Sequence, residues 1–162
     1  MSISFRPVAQ FVVLAAVMTG TGALAQSSNH VVVPADKIQW GPAPPILPAG
    51  AQIAVLEGNP AEKGPVVLRL KFPSNYEIPA HWHTMTERIT VISGSFHVGM
   101  GEKLSRSATQ TLTPGGFVSL PAQMHHFAWA SAPTVVQINL EGPFDLFYVN
   151  PADNPTQTLT KR

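Results

Sequence analysis

The segment His81-Trp82-His83-Thr84-Met85-Thr86-Glu87 concentrates more chemically capable side chains than any other stretch of this chain. On a strand, residues i and i+2 project to the same side. His81 and His83 therefore stand side by side, and Trp82 points the other way. A turn through residues 84–86 brings Glu87 back beside them. Two imidazoles and a carboxylate on one face suit a divalent transition metal with open coordination positions. With 6 His in 162 residues, the spacing HxHxxxE would arise in roughly 1 of 100 shuffled chains. That rarity counts against the alternative of incidental histidines on a surface strand.

A second segment, Thr113-Pro114-Gly115-Gly116-Phe117-Val118-Ser119-Leu120-Pro121, runs into Ala122-Gln123-Met124-His125-His126-Phe127-Ala128-Trp129. Together the two segments resemble the cupin superfamily, whose motifs read G(x)5HxH(x)3–4E(x)6G and G(x)5PxGxxH(x)3N. The first motif is matched by Asn75, His81, His83, Glu87 and Gly94, and the second by Gly115, Pro121, Gln123 and His126. Asn75 and Gln123 stand where the family has Gly, and Ala130 stands where it has the terminal Asn. Asn tolerates left-handed backbone better than most residues, whereas Gln123 puts the conformation of its turn in question. A finer resemblance, to small exported bacterial single-domain cupins, lies in residues 89–101 and in Gly142-Pro143-Phe144.

The resemblance implies an all-β fold, a double-stranded β-helix or jelly-roll cupin barrel, with the site inside it. It implies that His81, His83, Glu87 and His126 hold one divalent transition metal ion per chain. Manganese, iron, nickel, copper and zinc are all compatible, because ligand type alone does not select among them. Glu87 could also serve as a catalytic base on leaving the metal. Adjacent strand residues face opposite sides, so only one of His125 and His126 enters the barrel. The spacing from Pro121 favours His126, and a one-residue slip would exchange them. Each ligand histidine needs a partner on its other ring nitrogen. Gln137 and Asn139 share a face and could provide it or line the pocket; equally, they could sit on an outer face.

The elements that must position these groups are short β-like runs punctuated by Pro and Gly. They cover residues 31–33, 38–40, 52–56, 66–72, 88–92, 96–100, 109–112, 117–120, 125–130, 134–140 and 146–149. No window beyond the N-terminal segment sustains a helical period. In residues 66–72, Val66, Leu68, Leu70 and Phe72 form the apolar set, opposite Arg69 and Lys71. We read these cations as solvated, with Arg69 on an anionic substrate as the alternative. Residues 89–100 read as a hairpin turning at Ser93-Gly94, with Val91 opposite Phe96 and Thr90 opposite His97. Ile89, Val91, Phe96 and Val98 then face the core, and His97 lies outside. The same alternation sends Trp82, Phe127 and Trp129 away from the metal. They lie either under the Pro-rich stretch 41–48 or on an apolar dimer surface.

Composition narrows the setting. The chain is 12% charged and 44% hydrophobic, with no Cys and a formal charge of +1. Absence of Cys excludes thiol catalysis, disulfides and zinc–thiolate sites, and the charge balance argues against nucleic acid as a partner. Arg6, the apolar run 11–18 and Ala23-Leu24-Ala25 read as a cleavable signal peptide over residues 1–25. Loss of Arg6 leaves Lys and Arg equal in number to the 9 Asp and Glu. The expected organisation is a signal peptide at 1–25, an extended Pro-rich segment at 26–50, a cupin domain at 51–150 and a tail at 151–162. The expected location is periplasmic or secreted, without a membrane anchor after cleavage. His30, near the new N-terminus, reads as solvated.

The resulting expectation is a metal-dependent enzyme acting on a small organic molecule, with oxygenase-type oxidation ahead of lyase or isomerase chemistry. A non-catalytic binder of metal or of a small metabolite is the alternative from another class, because no separate acid–base pair stands out. Copper-dependent oxidation of a polysaccharide ranks below both.

Overall fold

The computed structural model describes residues 30–159, so the signal-peptide reading lies outside the described residues. Eleven strands run through the described residues: β1 Gly41–Pro42, β2 Gln52–Glu57, β3 Gly64–Phe72, β4 Tyr76–Trp82, β5 Glu87–Ser93, β6 Phe96–Met100, β7 Gln110–Leu112, β8 Phe117–Leu120, β9 His126–Ala130, β10 Thr134–Gly142 and β11 Phe147–Tyr148. A five-residue helix, α1 Pro155–Leu159, follows them. The strands form a six-stranded sheet in the order β1-β2-β3-β10-β5-β8 and a five-stranded sheet in the order β11-β4-β9-β6-β7. Every pairing is antiparallel. This is the jelly roll expected from the motifs.

Alternation explains which residues fill the space between the sheets. In β3, Val66, Leu68, Leu70 and Phe72 are all buried, with Leu68 at 0% exposure. Burial of each such side chain is worth about 1.5–3 kcal/mol. Arg69 and Lys71 lie on the outer face, as read. Arg69 donates from Nε to Gln137 Oε1 at 3.1 Å, and the Lys71 ammonium sits 4.1 Å above the Trp40 ring. Gln137 and Asn139 share this outer face and bond to each other at 3.4 Å. Of the two readings left open for this pair, the outer-face one holds.

The hairpin at Ser93-Gly94 does not form. β5 pairs with β10 and β8, whereas β6 pairs with β7 and β9 in the other sheet. The expected faces survive: Ile89, Val91, Phe96 and Val98 are all buried. Alternation reports only which side a residue takes, and two strands on facing sheets can both point inward. Thr134 holds the crossover, accepting a hydrogen bond from the Ser95 amide at 3.0 Å and donating to the Ala132 carbonyl at 2.8 Å. Gly94 is left-handed at φ 85°, and a Cβ there would meet Pro133 O and Thr134, so only glycine fits.

Two expected runs are not strands. Residues 31–33 are exposed coil followed by a 3-10 turn, Ala35–Lys37, and residues 38–40 lead into β1 without pairing. The valines of the first run stay largely outside the core, and Val32 is 74% exposed. The Pro-rich stretch instead wraps one side of the barrel. Ala43 N donates to Ala51 O at 3.1 Å, closing residues 43–51 into a loop. The Tyr76 hydroxyl donates to Pro48 O at 2.5 Å and the Tyr148 hydroxyl to Ile46 O at 2.8 Å. Burial pushes the Tyr148 phenol up to about 12 and raises Tyr76 as well, so both remain donors at neutral pH. Leu47, pinned between these bonds, is 4% exposed and joins the core.

Candidate metal centre

A β-bulge sets the orientation of the first motif. In β4 the residues Tyr76, Ile78 and Ala80 face inward, and simple alternation would next bring Trp82 inside. The pairing of β4 with β9 slips between Ile78 and His81, which inserts one residue at Pro79-Ala80 and reverses the phase. Pro79 lacks an N–H, so it loses nothing where a ladder bond is missing. Beyond the bulge His81 and His83 point inward at 3% exposure each. Trp82 turns outward and stacks on Phe147 with ring centres 4.5 Å apart.

His126 opens β9 directly opposite His81 and is 2% exposed. Its neighbour His125 lies outside, where Nδ1 meets Glu102 Oε1 at 2.7 Å. Glu87 opens β5 in the facing sheet and is 5% exposed. The ligand-capable atoms of His81, His83 and His126 all lie within 4.8 Å of one another, so one ion could be held by all three. Glu87 Oε2 lies 3.5 Å from His83 Nε2 and 3.7 Å from His126 Nε2.

The ring tautomers follow from chemistry. His81 Nδ1 lies 2.7 Å from Pro79 O, His83 Nδ1 2.5 Å from Asp145 O, and His126 Nδ1 2.9 Å from Met124 O. A carbonyl oxygen only accepts, so each Nδ1 carries the proton. Each Nε2 of a neutral ring is then left with its lone pair, aimed into the interior. His83 Nε2 is buried with no hydrogen-bond partner, a costly arrangement unless something else binds there. A metal ion fits that requirement. The orienting partners are backbone carbonyls, a class of group that no side-chain pattern reveals.

Electrostatics favour the neutral ring at two of the three histidines. Burial drives the His81 pKa well below its ordinary value, helped by His126 and His83 beside it. His126 is lowered chiefly by burial, against the pull of Glu87. For His83, burial is outweighed by the Glu87 carboxylate and by Asp145, and its pKa is raised.

The cavity around these groups is small, about 20 Å³, close to what one water molecule needs. Its walls are otherwise apolar and include Leu47, Leu70, Ile78, Phe144 and Leu146. Leu47, Phe144 and Asp145 are contributors that motif spacing did not identify. The Gly142-Pro143-Phe144 segment was singled out for resemblance, but nothing in it signals a cavity wall.

Trp82, Phe127 and Trp129 stay off the cavity, as alternation predicts, but the Pro-rich stretch does not cover them. Phe127 is 1% exposed and packs where a Cβ on Gly99 would lie. Trp129 is sandwiched between His97, 3.9 Å away and nearly parallel, and the Arg106 guanidinium at 4.4 Å. His97 thus lies outside the site.

The sequence over residues 22–147 matches the family described as a domain of unknown function, DUF4437. No curated protein matches it. Among solved structures, it is similar to a putative acetylacetone dioxygenase from Methylibium petroleiphilum PM1, at 19% identity and TM-score 0.59 over 78% of this chain and 85% of that one. It is similar to the polyketide cyclase RemF from Streptomyces resistomycificus, at 15% identity and TM-score 0.58 over 80% and 92%. A third is an RmlC-like cupin from Shewanella frigidimarina NCIMB 400, at 18% identity and TM-score 0.54 over 70% and 91%. With its two-sheet jelly roll and its match across most of the sequence, this chain has the cupin fold and belongs to the DUF4437 family.

Proposed function

We propose that this protein is a metal-dependent enzyme that acts on a small organic molecule, with oxygenase-type oxidation as its reaction class. The observation that carries the reading is the set of three buried imidazoles whose Nδ1 protons are all spent on backbone carbonyls. Their Nε2 atoms are left for an ion, with His81, His83 and His126 as ligands and Glu87 as the fourth. A divalent transition ion bound there supplies Lewis acidity, a more acidic bound water or, if redox-active, oxygen activation.

The residues of the chain do the rest. Glu87, free to leave the ion, is placed to accept a proton from substrate. The apolar walls exclude bulk water and favour a compact, largely apolar substrate. The fold shared with a putative acetylacetone dioxygenase and a polyketide cyclase supports an enzyme on a small carbonyl compound. The N-terminal pattern supports export, with the protein working in the periplasm or outside the cell.

One observation favours a second reading. The interior has room for about one water, which suits a non-catalytic holder of metal or of a very small metabolite. The enclosed cavity offers no groove to a polysaccharide chain, and lyase or isomerase chemistry has no distinct acid–base pair to use.

Elemental analysis of wild type beside His126→Ala tests the metal. One transition ion per chain, lost in the variant, supports the site, and no ion in either overturns it. Oxygen uptake by the loaded protein over small phenols, diketones, carboxylates and sugars then tests the reaction. Turnover abolished in His83→Ala supports the oxygenase. Tight stoichiometric binding without turnover establishes the holder instead.

A further inference from the structure

All but one of the residues lining the cavity are buried; the exception is Phe144, which is partly buried and packs against the core. Phe144 is therefore the lining residue that solvent reaches most readily. Phe144 stands in the connection between β10 and β11, with its ring centre 5.7 Å from that of His83. Its amide donates to Pro60 O at 2.8 Å. The next residue, Asp145, holds the same connection from the other side. Its carboxylate accepts from the Thr84 amide at 2.9 Å through Oδ1 and from the Thr84 hydroxyl through Oδ2. Its backbone carbonyl takes the Nδ1 proton of His83.

We propose that residues 143–146 form the gate of the metal cavity, with Phe144 as the access-determining side chain and Asp145 as the positioning residue that couples the gate to His83. The inference rests on the metal reading above. Lifting Phe144 requires this short connection to move, and the carbonyl that orients His83 belongs to the residue beside it. Opening the gate therefore loosens one ligand ring, and closing it restores both the seal and the ring orientation. The carboxylate of Asp145 does not touch the site. It acts by clamping Thr84, one residue beyond His83, so that ligand and latch move as one piece.

Cobalt(II) is the probe, because its visible d–d bands report ligand geometry and its removal by a chelator reports access. Phe144→Ala should speed both uptake and removal by about tenfold while leaving the equilibrium Kd unchanged, since it opens the path without touching a ligand. Asp145→Ala keeps the carbonyl that orients His83 but releases its clamp on Thr84, so it should weaken cobalt binding by about tenfold, the low end of the cost of losing an orienting partner, and should shift the d–d bands. Asp145→Asn, which keeps an oxygen for the Thr84 amide, should recover part of both. Unchanged rates in Phe144→Ala overturn the gate. Unchanged Kd and bands in a folded Asp145→Ala overturn the coupling. If Asp145→Ala does not fold, Thr84→Ala must show the same spectral shift in smaller degree, and no shift there overturns the coupling equally. Should wild type hold no cobalt, the metal reading fails by itself. The gate is then judged by solvent exchange of the His83 Nδ1 proton, which Phe144→Ala must accelerate in the metal-free protein and which, unaccelerated, overturns it.

Discussion

The backbone amide of Gln123 donates to the carbonyl of His83 at 2.8 Å, while Gln123 itself sits in the left-handed region at φ 63°. The turn that delivers His126 is thus hung on the backbone of a histidine from the first motif. Asn75, ahead of β4, has the matching conformation at φ 59°. Both stand where the cupin pattern has Gly, and the chain has kept the backbone shape while changing the residue. Asn bears that shape at little cost, whereas Gln does not.

Gln123→Gly should therefore stabilise the protein. Left-handed backbone costs a residue with a Cβ about 1–2 kcal/mol, and the extra freedom of glycine in the unfolded chain returns about 0.5–1 kcal/mol of that. A net gain of about 0.5–1 kcal/mol is expected, seen as a higher urea midpoint at unchanged slope. Asn75→Gly should change the midpoint by less. A lower midpoint for Gln123→Gly would mean that the exposed Gln side chain contributes more than its backbone costs.

What could be read before the fold was known, and what could not, divides along physical lines. Strand faces follow from local alternation, so the core positions of Ile89, Val91, Phe96 and Val98 were readable. Strand partners are a long-range property, so β5 and β6 were wrongly joined across Gly94. Motif spacing favours His126 over His125, and the structure turns His126 inward. The bulge at Pro79-Ala80 was invisible, although without it Trp82 would occupy the place of the histidines. Leu47 and Asp145 act through a patternless Pro-rich loop and through a main-chain carbonyl, neither of which leaves a periodic trace.

Three histidines, one inside the site and two outside it, make a controlled comparison. His126→Ala should abolish metal binding. His125→Ala breaks an exposed pair with Glu102 and a tilted ring contact with Trp82, both outside the site, so metal content should stay at the wild-type level and stability should move by less than about 1 kcal/mol. His97→Ala removes a ring stacked on Trp129 and bonded to Thr111 and Ser131 at 2.9 Å each. It should cost about 0.5–1.5 kcal/mol with metal content unchanged. Elemental analysis and thermal melts of all three variants check this, and metal loss in His97→Ala would contradict the placement of β6.

The metal-free protein should be acid-sensitive through His81 and His126. Both have pKa values lowered in the fold from the ordinary 6.5, so the unfolded chain binds protons more readily than the folded one. Their contribution is complete above pH 6.5 and is lost as pH falls through the depressed folded values. His83, whose pKa is raised, works in the opposite sense but is one group against two. Unfolding free energy, measured by urea titration at several pH values, should decline below about pH 6.5. The slope should flatten in His81→Asn. Metal affinity should start to fall at higher pH than stability does, because each ligand must be neutral to bind and the raised pKa of His83 makes it the first to take up a proton.

The Pro-rich loop offers the last test, because its two tyrosine bonds and its one buried leucine make separable contributions. Leu47→Ala removes a buried side chain next to the cavity and should cost about 2–5 kcal/mol. Tyr148→Phe removes only the hydroxyl that binds Ile46 O and should cost about 0.5–1.5 kcal/mol. If the loop is held as a unit, Tyr148→Phe should raise amide hydrogen exchange in residues 43–51 while leaving β3 and β10 at wild-type protection. The prolines at 42, 44, 45 and 48 keep the detached loop stiff, so that exchange should rise across it together rather than residue by residue. Protection unchanged in Tyr148→Phe would show that Leu47 alone anchors the loop, and Leu47→Ala should then release it completely.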